Sequence, residues 1–95
     1  MTNEEVMQYV VQSIRLIRKK KNVSQMELCL RANMSQGFLT NIETGKKEPS
    51  VMTLIRIASA LDVSPRDFFP EAALSPDAEL KQGIKNDIID LLNRL

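Results

Sequence analysis

The chain contains no histidine, one cysteine, three glycines and four aromatic residues, Tyr9, Phe38, Phe68 and Phe69. Each shortage excludes something. Without histidine, the commonest acid–base and metal-ligating side chain is missing. A lone cysteine, Cys29, rules out an intramolecular disulfide and fits a reducing compartment, so a cytoplasmic location is expected. The glycines do not cluster into a phosphate-cradling loop, and the carboxylates are scattered or fall at helix caps. No catalytic residue, metal or cofactor is therefore expected, and the chain does not read as an enzyme. With so few aromatics the core must be mostly aliphatic. No run of 18 apolar residues occurs, so no membrane span is expected. The opening Met1-Thr-Asn-Glu-Glu is acidic and lacks the basic flank and apolar stretch of a signal peptide.

What is present is ordinary for one soluble domain of 95 residues: 43% apolar and 26% charged. The net charge of +1 conceals an asymmetry. Residues 1–70 hold ten Lys and Arg against seven Asp and Glu, whereas residues 71–95 hold three against five. Phosphate binding needs a local basic face rather than a basic average. A surplus of this size also serves plain solubility, so charge alone decides nothing.

The pattern is all-α, with no strand alternation, repeat or low-complexity segment. Thr2 with Glu5 is a capping-box signature for a first helix from Asn3 to about Lys21, with Val6, Val10, Ile14 and Ile17 as its inward stripe. Lys19, Lys20 and Lys21 suit its C-terminal dipole. Ser24 with Glu27 opens a second helix, Gln25 to Ala32, closed by Asn33 in the left-handed conformation. Its inward residues are Leu28 and Ala32, with Cys29 beside them. Ser35 caps a third, Gln36 to Thr44, with Leu39 and Ile42 inward and Gly45 ending it. Ser50 caps a fourth, Val51 to about Leu61, with Leu54, Ile57, Ala58 and Leu61 inward. Ser64-Pro65 starts a short fifth that ends near Phe69. Residues 71–76 read as a hinge. Ser75-Pro76 then opens a sixth helix over 77–95, whose stripe is Leu80, Ile84, Ile88, Leu91, Leu92 and Leu95.

The stretch from Gln25 to Gly45 carries the most information. Two short amphipathic helices, each opened by a serine, are joined by a turn that leaves them no choice but to cross. That is the plan of a helix-turn-helix, in which the second helix is held out to enter the DNA major groove.

These residues resemble the lambda-repressor/Cro-like helix-turn-helix family, also called the Xre family. The resemblance is carried by Ile14-Arg-Leu-Ile-Arg18, Val23-Ser-Gln-Met-Glu-Leu28, Met34-Ser35, Leu39-Thr-Asn-Ile-Glu-Thr-Gly45, Pro49-Ser-Val-Met-Thr-Leu54, Ile57-Ala-Ser-Ala-Leu61 and Val63-Ser64, and covers about residues 10–70. It implies a five-helix DNA-binding domain acting as a dimer, usually as a transcriptional regulator, with residues 77–95 added here.

The DNA-facing residues follow from the third helix. Leu39 and Ile42 take its buried side, leaving Gln36, Gly37, Phe38, Thr40, Asn41 and Thr44 outside. Gln36, at the N-terminal end that enters a groove deepest, is the first base-reading candidate, because an amide pairs with adenine in bidentate fashion. The resemblance supports this assignment. Asn41 has the same chemistry further along, for a base or a phosphate, and Thr40 can reach either. Gly37 weakens the helix and lets a backbone approach closely. Phe38 stands where the family often has a small polar residue. It either packs on a thymine methyl, wedges at a base step, or folds back onto its own helix.

Phosphate contacts are expected from Ser24, Gln25, Ser35, Thr44, Lys46 and Lys47, the two serines being caps first. The resemblance implies that Gln25 bonds a phosphate and braces Gln36. It also implies a partly buried salt bridge between Arg18 and Glu43. Cys29 falls where the family usually has alanine and reads as a small buried residue.

Residues 77–95 cannot bury their stripe alone. They either cover their own domain or join a second copy, and a homodimer or higher homo-oligomer is the expectation. Leu16, Leu30 and Met52, apolar where the family usually has charge, are candidate receiving surfaces. The expected partners are thus double-stranded DNA and another copy, with a regulatory protein as a further candidate and no membrane. At 95 residues, no sizeable ligand-sensing domain is expected. A rival reading takes the same scaffold as a protein-interaction module that does not bind DNA specifically.

Overall fold

Hydroxyl groups set where the helices begin. In the computed structural model, which describes residues 1–74, Thr2 caps α1 (Asn3–Lys20) with both bonds of the capping box. The Glu5 N–H donates to Thr2 Oγ1 at 3.1 Å and the Thr2 N–H to Glu5 Oε1 at 2.9 Å. Hydrogen bonding from Thr2, chiefly from its N–H, holds the exposed Glu5 carboxyl below the usual range. Ser24, Ser35 and Ser50 cap α2 (Gln25–Ala32), α3 (Gln36–Glu43) and α4 (Val51–Leu61), each accepting an N–H of its first turn. At Ser24 only half of the expected box forms. Glu27 turns instead to Arg31 one helical turn on, an exposed ion pair.

The ends share one geometry. α1, α2, α3 and α4 close through Asn22, Asn33, Gly45 and Asp62, all with φ between 54° and 79°. The residue after each left-handed one donates back to the helix: Val23 to Arg18, Met34 to Cys29, Lys46 to Asn41 and Val63 to Ala58. This satisfies carbonyls that the last turn would otherwise leave without partners. Asn33 and Gly45 behave as their sequence positions imply.

The core lies where the four helices meet. Val10 and Ile14 of α1, Leu28 of α2, Leu39 and Ile42 of α3, and Ile57 and Leu61 of α4 are fully or almost fully buried, and Phe68 closes the cluster. On α1 the buried face also takes in Val11, while Val6, Met7 and Ile17 pack half-buried at its edge. The α2–α4 contact is tied from both sides. Arg56 donates to the Ala32 and Asn33 carbonyls, and Arg31 to the Ala60 carbonyl at 3.3 Å.

Two expected elements differ. The short fifth helix is a 3-10 turn, Pro65–Phe68, capped by Ser64, with Asp67 returning a bond to the Ser64 N–H. Pro70 follows too closely for i→i+4 bonding to take over. Residues 71–74, expected to belong to a hinge, form one helical turn, α5 (Glu71–Leu74), with the Ala73 N–H donating to the Pro70 carbonyl at 2.9 Å. The expected helix over 77–95 and its stripe Leu80, Ile84, Ile88, Leu91, Leu92 and Leu95 lie outside the described residues. Among the described residues no helix is long and apolar enough to cross a membrane.

Candidate nucleic-acid interface

The inner side of α3 is fixed by more than its two apolar residues. Glu43, 7% exposed, points to the end of α1, where Arg18, equally buried, meets it with two bonds. Arg18 Nε donates to Glu43 Oε2 at 2.8 Å and Nη2 to Oε1 at 3.1 Å. Arg18 Nη1 donates to the Val23 carbonyl at 2.9 Å, inside the α1–α2 turn. This is the salt bridge that the resemblance implied, in bidentate form. Gln25 joins it: its Nε2 donates to Glu43 Oε1 at 2.9 Å. The expected brace from Gln25 to Gln36 is not the arrangement found, because the buried carboxylate is the stronger acceptor. One network thus fixes the end of α1, the start of α2 and the end of α3. Every buried side-chain polar atom among the described residues has a partner.

A second device holds the turn between α2 and α3. The Cys29 thiol is buried and donates to the Ser35 carbonyl at 3.5 Å, while the Met34 N–H donates to the Cys29 carbonyl at 3.0 Å. Burial pushes the thiol pKa up; nearby Glu43 adds to the effect and Arg18 opposes it. Cys29 is a packing and turn-fixing residue, kept in its neutral form.

With the inner side so occupied, the outer side is determined by the 3.6-residue period. Gln36, Gly37, Asn41 and Thr44 are exposed, and Thr40 is half-buried. A Cβ placed on Gly37 would meet no heavy atom within 4 Å. Packing therefore gives no reason for glycine here. Phe38 falls at the margin, half-buried against the core. Thr44 Oγ1 donates back to the Thr40 carbonyl at 2.8 Å, so its one hydroxyl proton is engaged within the helix rather than offered outward. Ser24 and Ser35 accept cap bonds with their hydroxyl oxygens.

Lys46 and Lys47 follow at once. The Asn41 carbonyl accepts both of their N–H groups, at 2.9 and 3.0 Å, which fixes the backbone of this turn. Both side chains are exposed. On the far side of the turn, an open groove of about 840 Å³ separates it from α1. Arg15, Gln8 and Gln12 stand on one wall, and Thr44, Gly45 and Lys47 on the other. Residues that sequence reasoning missed are Arg31 and Arg56. Both are basic, yet they cap helix ends, which removes them from any account of the basic face. Their targets are carbonyls on another helix, so spacing gave no signal. No group of Cys, Asp and Glu among the described residues is placed to hold a metal ion.

Residues 14–68 match the family model described as helix-turn-helix, more than half of the chain. The chain belongs to the helix-turn-helix family. It does so in the lambda-repressor-like form that its residues resemble. It is similar to the immunity repressor protein of Bacillus phage phi105, 31% identical over 78 residues, which covers 82% of this chain and 54% of that one. It is 40% identical over 48 residues to an uncharacterized HTH-type transcriptional regulator of Sinorhizobium fredii, covering 50% of this chain and 62% of that one. The chain thus spans between about half and two thirds of these curated relatives. Among solved structures it resembles the restriction-modification controller protein C.AhdI from Aeromonas hydrophila, with a TM-score of 0.64 and 27% identity, covering 66% of this chain and 96% of that one.

Proposed function

We propose that this chain is a sequence-specific double-stranded DNA-binding transcriptional regulator, acting in the cytoplasm as a repressor that holds a palindromic operator as a dimer. The observation that carries the reading is the outer side of α3. It presents two amides, a threonine and a glycine that the fold does not need, followed directly by two exposed lysines. Gln36 is the principal base reader, supported by Asn41 and Thr40, and Gly37 permits close approach. Lys46 and Lys47 neutralise phosphate, together with the exposed starts of α2 and α3. The names of the phage relative and of the regulators favour the same reading. Its action is binding, with no catalytic step.

Two copies are joined, in this proposal, through Leu80, Ile84, Ile88, Leu91, Leu92 and Leu95. One recognition helix reads too few base pairs alone, and a dimer sets two of them about 34 Å apart. The 95-residue chain should sediment as a dimer and a chain cut after Pro70 as a monomer; equal masses count against that stripe as the interface.

A second reading, a protein-interaction module on the same scaffold, draws on Leu30 and Met26. They stand four apart on α2 at 78% and 61% exposure, with Leu16 of α1 at 67%. Enrichment of random duplexes on the purified protein separates the two. A palindrome with half-sites about one helical turn apart is expected, with binding that weakens steeply with salt. No enrichment and only shallow salt dependence would transfer the case to the second reading.

A further inference from the structure

The turn after α3 returns a cation to the helix it has just left. The Lys47 Nζ lies 4.8 Å from the centroid of the Phe38 ring, within the ~6 Å over which a ring face attracts a cation. Each partner is held independently of the other. Phe38 is seated on the core and its N–H is capped by Ser35 Oγ at 3.1 Å. The backbone of Lys47 is fixed by the Asn41 carbonyl at 3.0 Å. Neighbouring Lys46 makes no ring contact among the described residues, so two adjacent lysines are prepared differently.

We propose that Phe38 and Lys47 act as one unit: the ring seats the ammonium beside the outer face of α3 as a pre-positioned anchor for a duplex phosphate. Phe38 then serves the interface as a positioning residue, through Lys47, and not by touching a base. The inference rests on the duplex-binding reading above and deepens it.

Three arguments support it. First, a lysine on an open turn must give up rotamer freedom to meet a phosphate, and one already resting on a ring has given up much of it. Second, Phe38 lies at the margin of the outer face, next to the row of Ile42, whereas Gly37 and Thr44 occupy its middle. Its ring packs on the core and carries the cation, which leaves poor access for a thymine methyl or a base step. Third, a lysine is a compact point charge, suited to a phosphate and indifferent to the sequence beside it.

The test is duplex binding by the full chain as a function of salt, on the selected operator and on an unrelated duplex. The variants are Lys47→Met, Phe38→Leu, Phe38→Tyr and the double Phe38→Leu/Lys47→Met. Lys47→Met should lower the slope of log affinity against log salt by about one. Phe38→Leu should weaken both duplexes alike, by roughly two- to fivefold, with the preferred bases unchanged. The double variant should be no weaker than Lys47→Met alone, and Phe38→Tyr, which keeps the ring, should bind as the parent does. Losses that multiply in the double variant, or a changed base preference in Phe38→Leu, would overturn the unit while leaving duplex binding intact. A parent chain that binds no duplex at any salt would remove both. Should Phe38→Leu fail to fold, proton NMR of the free parent chain still decides. The Lys47 side-chain methylenes should be shifted upfield by the ring, and their absence from ring-current positions would refute the pair.

Discussion

Helices α2 and α3 are built alike and present themselves differently. Each has eight residues, starts on a serine cap and closes through a left-handed residue. Each buries residues spaced along one side: Leu28, Cys29 and Ala32 on α2, and Leu39, Ile42 and Glu43 on α3. The outer sides diverge. α2 pairs its exposed charges with each other, Glu27 with Arg31, and Arg31 also reaches α4. The outer side of α3 carries no basic residue and no exposed acid, only two amides, a threonine and a glycine. The closures diverge as well. After α1, α2 and α4 the residue beyond the left-handed one is apolar and turned to the core: Val23, Met34 and Val63. After α3 it is Lys46, exposed. Identical backbone chemistry is thus combined with side chains that serve the fold in one helix and leave the surface of the other available. The comparison separates scaffold from reader without reference to any relative.

The largest effect should come from breaking what the two helices share. Glu43 links α3 to both Arg18 and Gln25, and Glu43→Leu would strand the buried Arg18 guanidinium. A loss of about 3–5 kcal/mol is expected on removing one partner of such a pair. Urea denaturation would measure it. A loss below about 1 kcal/mol, the range of solvated surface pairs, would mean that the network does not unite the helices. Next in size is Gln36→Ala. Stability should move by less than about 0.5 kcal/mol, as for an exposed residue. Affinity for the selected operator should fall by about 1–3 kcal/mol, the discrimination of one bidentate amide–base pair. Binding to unrelated duplex should hold, and anisotropy titrations on both duplexes would show the difference. A variant that instead lost helicity would make Gln36 a scaffold residue and dissolve the contrast.

The same contrast explains what the sequence disclosed. Starts, ends and inward stripes depend on neighbours within a few positions. Thr2, Ser24, Ser35, Ser50, Asn33, Gly45 and the core positions of α2 and α4 were therefore legible from spacing. Where a long side chain travels is not a local matter. Glu27, expected to complete a capping box, pairs with Arg31 instead. Gln25 was placed against Gln36 by resemblance, yet a buried carboxylate lay within reach. Arg31 and Arg56 find their carbonyl partners only where α2 and α4 come together. The Thr44 hydroxyl bonds the Thr40 carbonyl of its own helix, a use that spacing alone does not show. Phe38 had three open destinations, and only the path of the following turn brought Lys47 over it.

Lys46→Met sharpens the comparison at the closures. It replaces the one charged residue at that position with an apolar one like Met34. The backbone bond to Asn41 does not depend on the side chain, so stability should change by less than about 0.5 kcal/mol. The salt slope of duplex binding should fall by about one, because one phosphate fewer is neutralised. An unchanged slope would make Lys46 a solvated loop residue and leave Lys47 as the anchor of this turn.

Gly37→Ala carries the sharpest sign. In a helix, alanine is better than glycine by roughly 0.5–1 kcal/mol, partly because glycine loses more backbone freedom on folding. Nothing within 4 Å would meet the added methyl group, and the backbone here is not left-handed. The free protein should therefore gain up to about that amount in a urea titration, with the benefit reduced because the position lies in the first turn. If glycine is present so that α3 can lie close to a duplex, the same methyl group should weaken operator binding. A residue that lowers stability and raises affinity belongs to the reader, not the scaffold. A gain in stability with affinity unchanged would show that Gly37 serves neither, and that the duplex passes this end of α3 at a distance. A loss of stability would mean that the first turn of α3 is shaped by a constraint that its open surroundings do not reveal.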